Sequence, residues 1–171
     1  MPDSAKPVFL VNAYSDPVLV RIDGRAAFTN SGCLKDFFNE MVRQGKTRFA
    51  LDFQACTSMD STFLGVLAGA ALQMRKLSPP GSLTLVRVGE RNLELIRNLG
   101  LHRLATVDSG VANLAFDGST AQALTEAKKN EIESAKLVLE AHENLVSADS
   151  ANAAKFQDVL AFLRNRVETG R

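Results

Sequence analysis

The chain is poor in several residue types, and their scarcity narrows its possible functions. Its 171 residues include no tryptophan, one tyrosine and two cysteines, and 20 Lys and Arg are balanced by 19 Asp and Glu. The resulting net charge of +1 provides no general attraction for nucleic acid or for an anionic membrane. Two cysteines cannot form the disulfide framework of a small secreted protein, so a cytoplasmic location is the default expectation.

Long apolar runs are also missing. The longest, at residues 63–72, has ten residues and includes two glycines, whereas a helix that crosses a bilayer needs about 20 apolar residues. No membrane insertion is therefore expected. Apolar residues still make up 46% of the chain and charged residues 23%, which is the mixture of an ordinary globular protein. The length fits one domain, or one domain with an appendage.

The spacing of the apolar residues changes several times over the first 108 residues. Strands are predicted at residues 8–11, 18–22, 48–53, 83–88 and 104–107, and helices at residues 31–44, 60–76 and 90–98. Ser31 is the expected N-cap of the first helix, and Gly45 is its C-terminal stop. The alternation of strands and helices predicts an α/β fold with a mixed, mostly parallel sheet flanked by helices. The first strand is the candidate for antiparallel pairing.

The last third of the chain has a different composition. Ser119 and Gln122 match a capping box, in which two side chains satisfy free N–H groups at a helix start. Apolar residues then recur at helical spacing on both sides of a turn at residues 149–152, and neither proline nor glycine interrupts them. We therefore predict an α/β domain at residues 1–118 and a two-helix extension, a C-terminal helical hairpin, at residues 119–171. Its apolar stripes must pack on each other, on the α/β domain or on a second subunit.

Motifs for catalysis or metal binding are incomplete. Residues 45–47, Gly-Lys-Thr, resemble the end of a P-loop, but that loop would need a glycine where Glu40 stands. His142 and Glu143 would begin a zinc-protease motif, but Val146 occupies the position of its second histidine. His142 lies on an apolar helical stripe, which favours a packed or partner-facing role. The sequence therefore predicts no catalytic residue, no metal ligand and no cofactor.

Asp52 ends a predicted strand, at the place where a response-regulator receiver domain carries its phosphoacceptor. Such a receiver also needs a pair of acidic residues after its first strand to hold Mg²⁺, and here that strand runs into Asn12 and Ala13. Asp52 is therefore expected to accept hydrogen bonds from neighbouring backbone N–H groups.

The segment around Asp60 and Ser61 is the most informative part of the chain. It consists of a predicted strand, a polar loop and a buried helix that starts at these two residues. Asp and Ser are favoured at a helix start because their side chains satisfy free N–H groups, which gives a purely structural interpretation. The same position suits a regulatory phosphoserine, since a phosphate adds about −1.5 to −2 charge at pH 7 and can expel a bound partner. The residues alone leave both interpretations open.

Residues 8–108 resemble the STAS domain, the fold of bacterial anti-sigma factor antagonists. The resemblance rests first on residues 59–67, Met-Asp-Ser-Thr-Phe-Leu-Gly-Val-Leu. It also rests on a strand that ends in Gly24, on the strand that contains Leu51 and Asp52, and on a short helix that ends in residues 98–101, Asn-Leu-Gly-Leu. The order and spacing of these pieces are more specific than any one of them.

The resemblance implies a protein-interaction switch without catalytic activity. Ser61 matches the phosphoacceptor of the family, so an anti-sigma-factor-type serine kinase that uses ATP and Mg²⁺ would phosphorylate it. A PP2C-like phosphatase would reverse the reaction. The unphosphorylated form would bind the kinase and release a sigma factor or another client. The partner-binding residues are expected to be Asp60, Ser61, Thr62, Phe63 and Gly65.

The chain departs from the family where Thr62 and Phe63 follow Ser61, since members often have Ser-Gly or Thr-Gly there. Thr62 is therefore an alternative phosphoacceptor, and the bulk of Phe63 can alter access of the kinase. STAS domains also serve as scaffolds of stress complexes and as accessory subunits of lipid transporters. In that alternative, Ser61 only caps a helix and the C-terminal helices mediate assembly, for example as a homodimer.

Overall fold

The computed structural model describes residues 8–108 and 119–170. Their strands are β1 (Phe9–Asn12), β2 (Val18–Ile22), β3 (Gly24–Ala26), β4 (Arg48–Asp52), β5 (Cys56–Met59), β6 (Ser82–Val86), β7 (Thr106–Asp108) and β8 (Gln122–Ala123). Their helices are α1 (Ser31–Arg43), α2 (Ser61–Lys76), α3 (Glu90–Asn98), α4 (Glu131–Ala148), α5 (Asn152–Lys155) and α6 (Gln157–Thr169). One turn of 3-10 helix, Leu101–Arg103, precedes β7.

A six-stranded sheet forms the centre of the fold, in the order β7-β6-β4-β2-β1-β8. Strands β2, β4, β6 and β7 run parallel, and β1 pairs antiparallel with both β2 and β8. Four of the five residues of β4 are buried, as is usual for a central parallel strand. The predicted α/β fold, with a mixed and mostly parallel sheet and an antiparallel first strand, is confirmed.

Two short strands lie in segments that were expected to be loops. β3 and β5 pair in parallel as a separate two-stranded sheet. Each has only three or four residues and no alternation of apolar and polar side chains, so apolar spacing gives no signal for them. The pair positions the start of α2, because β5 ends at Met59 and the N–H of the next residue, Asp60, donates to the carbonyl of Ala26 in β3 (3.1 Å).

Helix α2 lies in the middle of the core, between the main sheet and α4. On the sheet side, the Phe63 ring packs between Phe9 (6.0 Å between centroids) and Phe53 (6.3 Å). All three rings are essentially inaccessible to solvent. A helix that is covered on two sides needs apolar residues nearly all round, which explains the composition of residues 63–72.

The C-terminal helices pack on the α/β domain of the same chain. Helix α4 lies along α2, and α6 returns along α4. We call α4, α5 and α6 together the hairpin (residues 131–169). Leu137 and Leu145 of α4 belong to the main core. Within residues 8–108 and 119–170, no helix is long and apolar enough to cross a membrane.

The predicted helix start at Ser119 is wrong. Residues 122–123 instead form β8 on the edge of β1, and the N–H of Leu124 donates to the carbonyl of Phe9 (3.0 Å). The reason is that an edge strand leaves backbone groups unpaired, and this segment pairs with them. Helix α4 begins later, behind Asn130, whose side chain accepts a hydrogen bond from the N–H of Glu133 (2.8 Å).

Ser31 is also not the N-cap of α1. Asn30 occupies that position, and Ser31 is the first helical residue. The Ser31 side chain is buried, and its hydroxyl donates to the carbonyl of Ala27 (2.6 Å). The turn before α1 is instead closed by the Asn30 side chain, which accepts from the N–H of Ala27 (3.0 Å) and donates to the carbonyl of Arg25 (3.0 Å).

Candidate functional site

Asp60 makes the cap at the start of α2. Its backbone is extended, with φ −112° and ψ 175°, and Oδ1 accepts a hydrogen bond from the N–H of Phe63 (2.9 Å). Oδ2 accepts from the N–H of Phe28, in the turn before α1 (2.7 Å). The interpretation in which Ser61 caps the helix is therefore corrected, because Asp60 alone performs that role.

The Ser61 hydroxyl contacts a side chain from the hairpin. Its Oγ lies 2.9 Å from Nε2 of His142 in α4. The Nδ1 atom of that histidine lies 2.7 Å from the carbonyl of Val138, which can only accept a hydrogen bond, so Nδ1 carries a proton. In the neutral imidazole, Nε2 is then an acceptor, and the Ser61 hydroxyl donates its proton to it.

His142 is held in a fixed position. Its side chain is 4% exposed, and its ring packs edge-on against Phe156, with 4.8 Å between ring centroids. The expectation of a packed histidine is confirmed. Its partner, Ser61, is 81 positions away along the chain, and no local pattern identifies that pairing.

Two glycines let α4 approach α2 closely. Ser61, Gly65 and Gly69 are four residues apart, so they share one side of α2, which we call the Ser61 face. A Cβ atom on Gly65 would overlap the carbonyl oxygen of Ala141 in α4. The Asn144 side chain donates to the carbonyl of Gly65 (3.2 Å) and occupies the space beside Gly69. The Ser61 face is thus covered by α4 along two turns of α2.

The remaining predicted partner-binding residues point away from solvent. Thr62 is 4% exposed, and Phe63 lies fully inside the core. Gly65 is buried beneath α4, whereas Asp60 and Ser61 are partly exposed. The structure therefore brings Asp60 and Ser61 together at the surface and separates them from the other three.

An open cleft of about 440 Å³ lies beside Ser61, between α2, α3 and the hairpin. Its walls are mainly apolar and include Met59, Leu64, Leu95, Leu99 and Phe156. Lys155 lines the same cleft, and its ammonium group donates to the carbonyl of Asn98 (2.6 Å). Ser61 therefore borders a cleft that the hairpin helps to form.

Cys56 is a buried core residue, Cys33 is partly buried against the core, and neither thiol has nucleophilic character. Burial, and to a smaller extent the carboxylate of Glu126, raises the pKa of Cys33 to about 12. Burial raises the pKa of Cys56 to about 11. Both thiols are therefore protonated at neutral pH. In residues 8–108 and 119–170, no three His, Cys, Asp or Glu side chains are grouped so that they could hold a metal ion.

Asp52 has the hydrogen bond that the sequence analysis leads us to expect. Its Oδ1 accepts from the N–H of Gln54 (3.0 Å). The carboxylate also forms a two-pronged ion pair with Arg87, in which Nε donates to Oδ1 (3.0 Å) and Nη2 to Oδ2. Asp52 thus ties the ends of β4 and β6 together, and its oxygens are engaged in structure.

The fold and site define a small α/β domain whose polar helix start lies against the chain's own C-terminal helices. A family model described as Mlab, STAS domain matches residues 9–107. This is more than half of the chain, which therefore belongs to the STAS domain family. No match is found among the curated proteins.

Solved structures share the fold. An anti-sigma factor antagonist from Mycobacterium paratuberculosis is 18% identical and has a TM-score of 0.53, covering 65% of this chain and 92% of its own. A protein from Thermotoga maritima, provisionally described as an anti-sigma factor antagonist, is 21% identical and has a TM-score of 0.51. It covers 60% of this chain and 87% of its own. At these identities the likeness concerns the fold alone.

Proposed function

We propose that this protein is a non-enzymatic protein-interaction switch of the anti-sigma factor antagonist type, controlled by reversible phosphorylation of Ser61. An anti-sigma-factor-type serine kinase would add the phosphate from ATP with Mg²⁺, and a PP2C-like phosphatase would remove it, in the cytoplasm. Membership of the STAS family supports this proposal. One observation carries it: Asp60 makes the cap of α2 by itself, so the Ser61 hydroxyl is not needed to hold the helix end.

Ser61 is a better phosphoacceptor than Thr62. Ser61 is partly exposed and borders an open cleft, whereas Thr62 is 4% exposed and faces the core. A kinase must reach the hydroxyl with the γ-phosphate of ATP, and only Ser61 offers a path to it. The alternative acceptor therefore has the weaker support.

A phosphate on Ser61 would change the surface at the start of α2. It would add about −1.5 to −2 charge at pH 7. The helix dipole attracts that charge, while the carboxylate of Asp60 repels it. A dianion in the middle of a contact surface suffices to expel a partner without any change in the fold.

The test is phosphate mapping on the full chain. Candidate serine kinases of the anti-sigma type are incubated with the protein, ATP and Mg²⁺, and the modified residue is found by mass spectrometry. We expect phosphate on Ser61 in the wild type, none in Ser61→Ala, and normal phosphorylation in Thr62→Val and in Thr29→Ala, a matched exposed hydroxyl. Phosphate that persists in Ser61→Ala and disappears in Thr62→Val contradicts the assignment.

Partner binding gives the second readout. Ser61→Asp should weaken the complex with the kinase, because it introduces a negative charge at the same place, and Ser61→Ala should bind without being released by ATP. Equal binding by both variants, measured by calorimetry, would show that Ser61 does not control the interaction.

A second candidate function is a constitutive scaffold or accessory subunit, assembled through the hairpin. The observation in its favour is the exposure of apolar side chains on α6, where Phe162 is 65% exposed and Val159 is 43% exposed. Phe28, 51% exposed, lines the same surface depression as Phe162. Exposed apolar groups of this kind mark association surfaces, so the hairpin would then dimerise or bind another subunit.

A further inference from the structure

We propose that the hairpin is an intrachain cover of the Ser61 face, and that docking of α4 and phosphorylation of Ser61 exclude each other. The first half of the proposal stands on the contacts between α2 and α4. The second half rests on the proposed function and describes the regulation of that same site.

Helix α4 contacts the Ser61 face at three successive levels: His142 at Ser61, Ala141 at Gly65, and Asn144 at Gly69. The buried His142 ring leaves no room between Ser61 Oγ and Nε2 for a phosphoryl group, since the two atoms are at hydrogen-bond distance. A kinase that approaches this face meets α4 first.

Phosphorylation changes the chemistry of the contact between Ser61 and His142. On phosphorylation, the Oγ–H bond of Ser61 breaks and a bond forms from Oγ to the γ-phosphorus of ATP, while ADP leaves and the proton passes to a base of the kinase. The dianion of the phosphate ester, its main form at pH 7, accepts hydrogen bonds and donates none. Nε2 of His142, which accepts the hydrogen bond of the Ser61 hydroxyl, is also an acceptor. Phosphorylation therefore replaces a hydrogen bond by the approach of two electron-rich groups. The carboxylate of Asp60 adds further repulsion.

The hairpin is attached to the α/β domain without strand pairing. Its helices contribute no strand to either sheet, so α4 can leave without breaking a strand pairing. Side-chain polar contacts help to hold it. They include the Asn152 amide, which donates to the carbonyl of Leu99 (2.9 Å), and the ion pair between Lys35 and Glu140 (2.6 Å). Departure exposes apolar surface of α2 and α4, and a partner that covers α2 offsets that cost. Only uncovered chains can then bind the partner at this face. The apparent association constant is therefore the intrinsic constant multiplied by the fraction of uncovered chains.

The experiment for the cover needs no kinase. Ser61→Cys is made in the full chain with the two native cysteines replaced (Cys33→Ala, Cys56→Ala), and its rate of reaction with N-ethylmaleimide is measured. Ala141→Leu forces α4 away from Gly65 and should raise the rate at least tenfold. Ala161→Leu, the same change at an exposed position of α6, should leave it unaltered.

A second, milder variant keeps the experiment informative if Ala141→Leu does not fold. Asn144→Ala removes the hydrogen bond to the carbonyl of Gly65 and the side chain beside Gly69, and it should raise the maleimide rate severalfold. The circular dichroism of each variant checks that the sheet is retained. Equal rates in all folded variants would show that α4 does not restrict access to position 61, and the proposal would be wrong.

The kinase arm separates this proposal from the proposed function. In the native-cysteine chain, Ala141→Leu should be phosphorylated at Ser61 at least tenfold faster than wild type, and phosphorylated wild type should show faster hydrogen exchange over residues 131–148. If Ser61 is phosphorylated equally fast in both chains, the cover fails and the switch stands. If neither chain is phosphorylated, the proposed phosphorylation switch is wrong. The maleimide rates then decide by themselves whether α4 covers the Ser61 face. Slower exchange after phosphorylation would mean that the hairpin binds the phosphate, which overturns the exclusion.

Discussion

Asp60 links three parts of the site through single hydrogen bonds. Its two carboxylate oxygens accept from the N–H groups of Phe63 and Phe28, and its own N–H donates to Ala26. The start of α2, the turn before α1 and the end of β3 are therefore fixed relative to one another. Ser61 inherits its position from this arrangement, which leaves its own side chain free for a contact with α4.

Removal of the Asp60 carboxylate should destabilise the fold. We expect Asp60→Ala to lower the free energy of unfolding by about 1–3 kcal/mol, because an N-cap contributes about 1 kcal/mol and a further hydrogen bond about 0.5–1.5 kcal/mol. Urea unfolding measures the change. Asp36→Ala, at an exposed position of α1, is the control, and an equal loss in the two variants would contradict the role of Asp60.

The sequence predicts the residues that the α/β domain contributes to this site, but not the contact that the hairpin makes with them. Asp60 and Ser61 can be recognised in the sequence as a helix start, because helix starts favour short polar side chains and this preference depends only on neighbouring residues. The pairing of Ser61 with His142 depends on how two helices far apart in sequence meet. An apolar stripe shows that His142 packs against something, but it contains no information about which residue receives it.

At the scale of the elements, the contact between α2 and α4 leaves no room for an added side chain at Gly65. A Cβ on Gly65 would overlap a backbone carbonyl of α4, whereas a Cβ on Gly69 would meet only the end of the Asn144 side chain. Backbone atoms move only if the whole helix moves, while a side-chain amide can rotate. The two glycines thus look alike in sequence but differ in what surrounds them.

This difference predicts opposite effects of the same substitution. In a helix, Gly→Ala alone contributes up to about 1 kcal/mol of stability. Gly69→Ala should keep part of that gain, whereas Gly65→Ala should lose about 1–3 kcal/mol from overpacking. Thermal and urea unfolding of the two variants provide the comparison. A stabilised Gly65→Ala would show that α4 is not held as closely as the structure describes.

The predicted bounds of an element agree with the structure where proline or glycine flanks a regular apolar pattern on both sides. Strand β2 and helix α3 have the bounds expected from the sequence, because Pro17 and Gly24 flank the first and Gly89 and Gly100 flank the second. Strands β3, β5 and β8 have two to four residues. Their existence depends on partners that offer free backbone groups, so propensity alone does not predict them.

At the scale of the whole molecule, the hairpin covers one apolar surface and exposes another. It covers α2, and in doing so it presents Phe162 and Val159 of α6 to solvent. The chain has almost no net charge, so long-range repulsion between two copies is weak. Under the scaffold function, association through α6 would therefore be governed by these apolar side chains.

The scaffold function predicts a specific change in assembly. If the hairpin mediates association, the wild-type chain sediments as a dimer or larger species, and Phe162→Ser sediments as a monomer. Tyr14→Ser, which removes an aromatic ring 88% exposed in the connection between β1 and β2, should leave the association unchanged. A monomeric wild-type chain at the same concentration would contradict this function and leave the switch.

The absence of a side chain at Gly65 also sets a rule for other proteins. A helix that takes the place of α4 encounters the same backbone at the same short distance, so it must carry glycine, alanine or serine at the point of closest approach. Selection among competing partners would then depend on one small residue in the partner's own sequence. Candidate partners can be ranked on that criterion before any of them is purified.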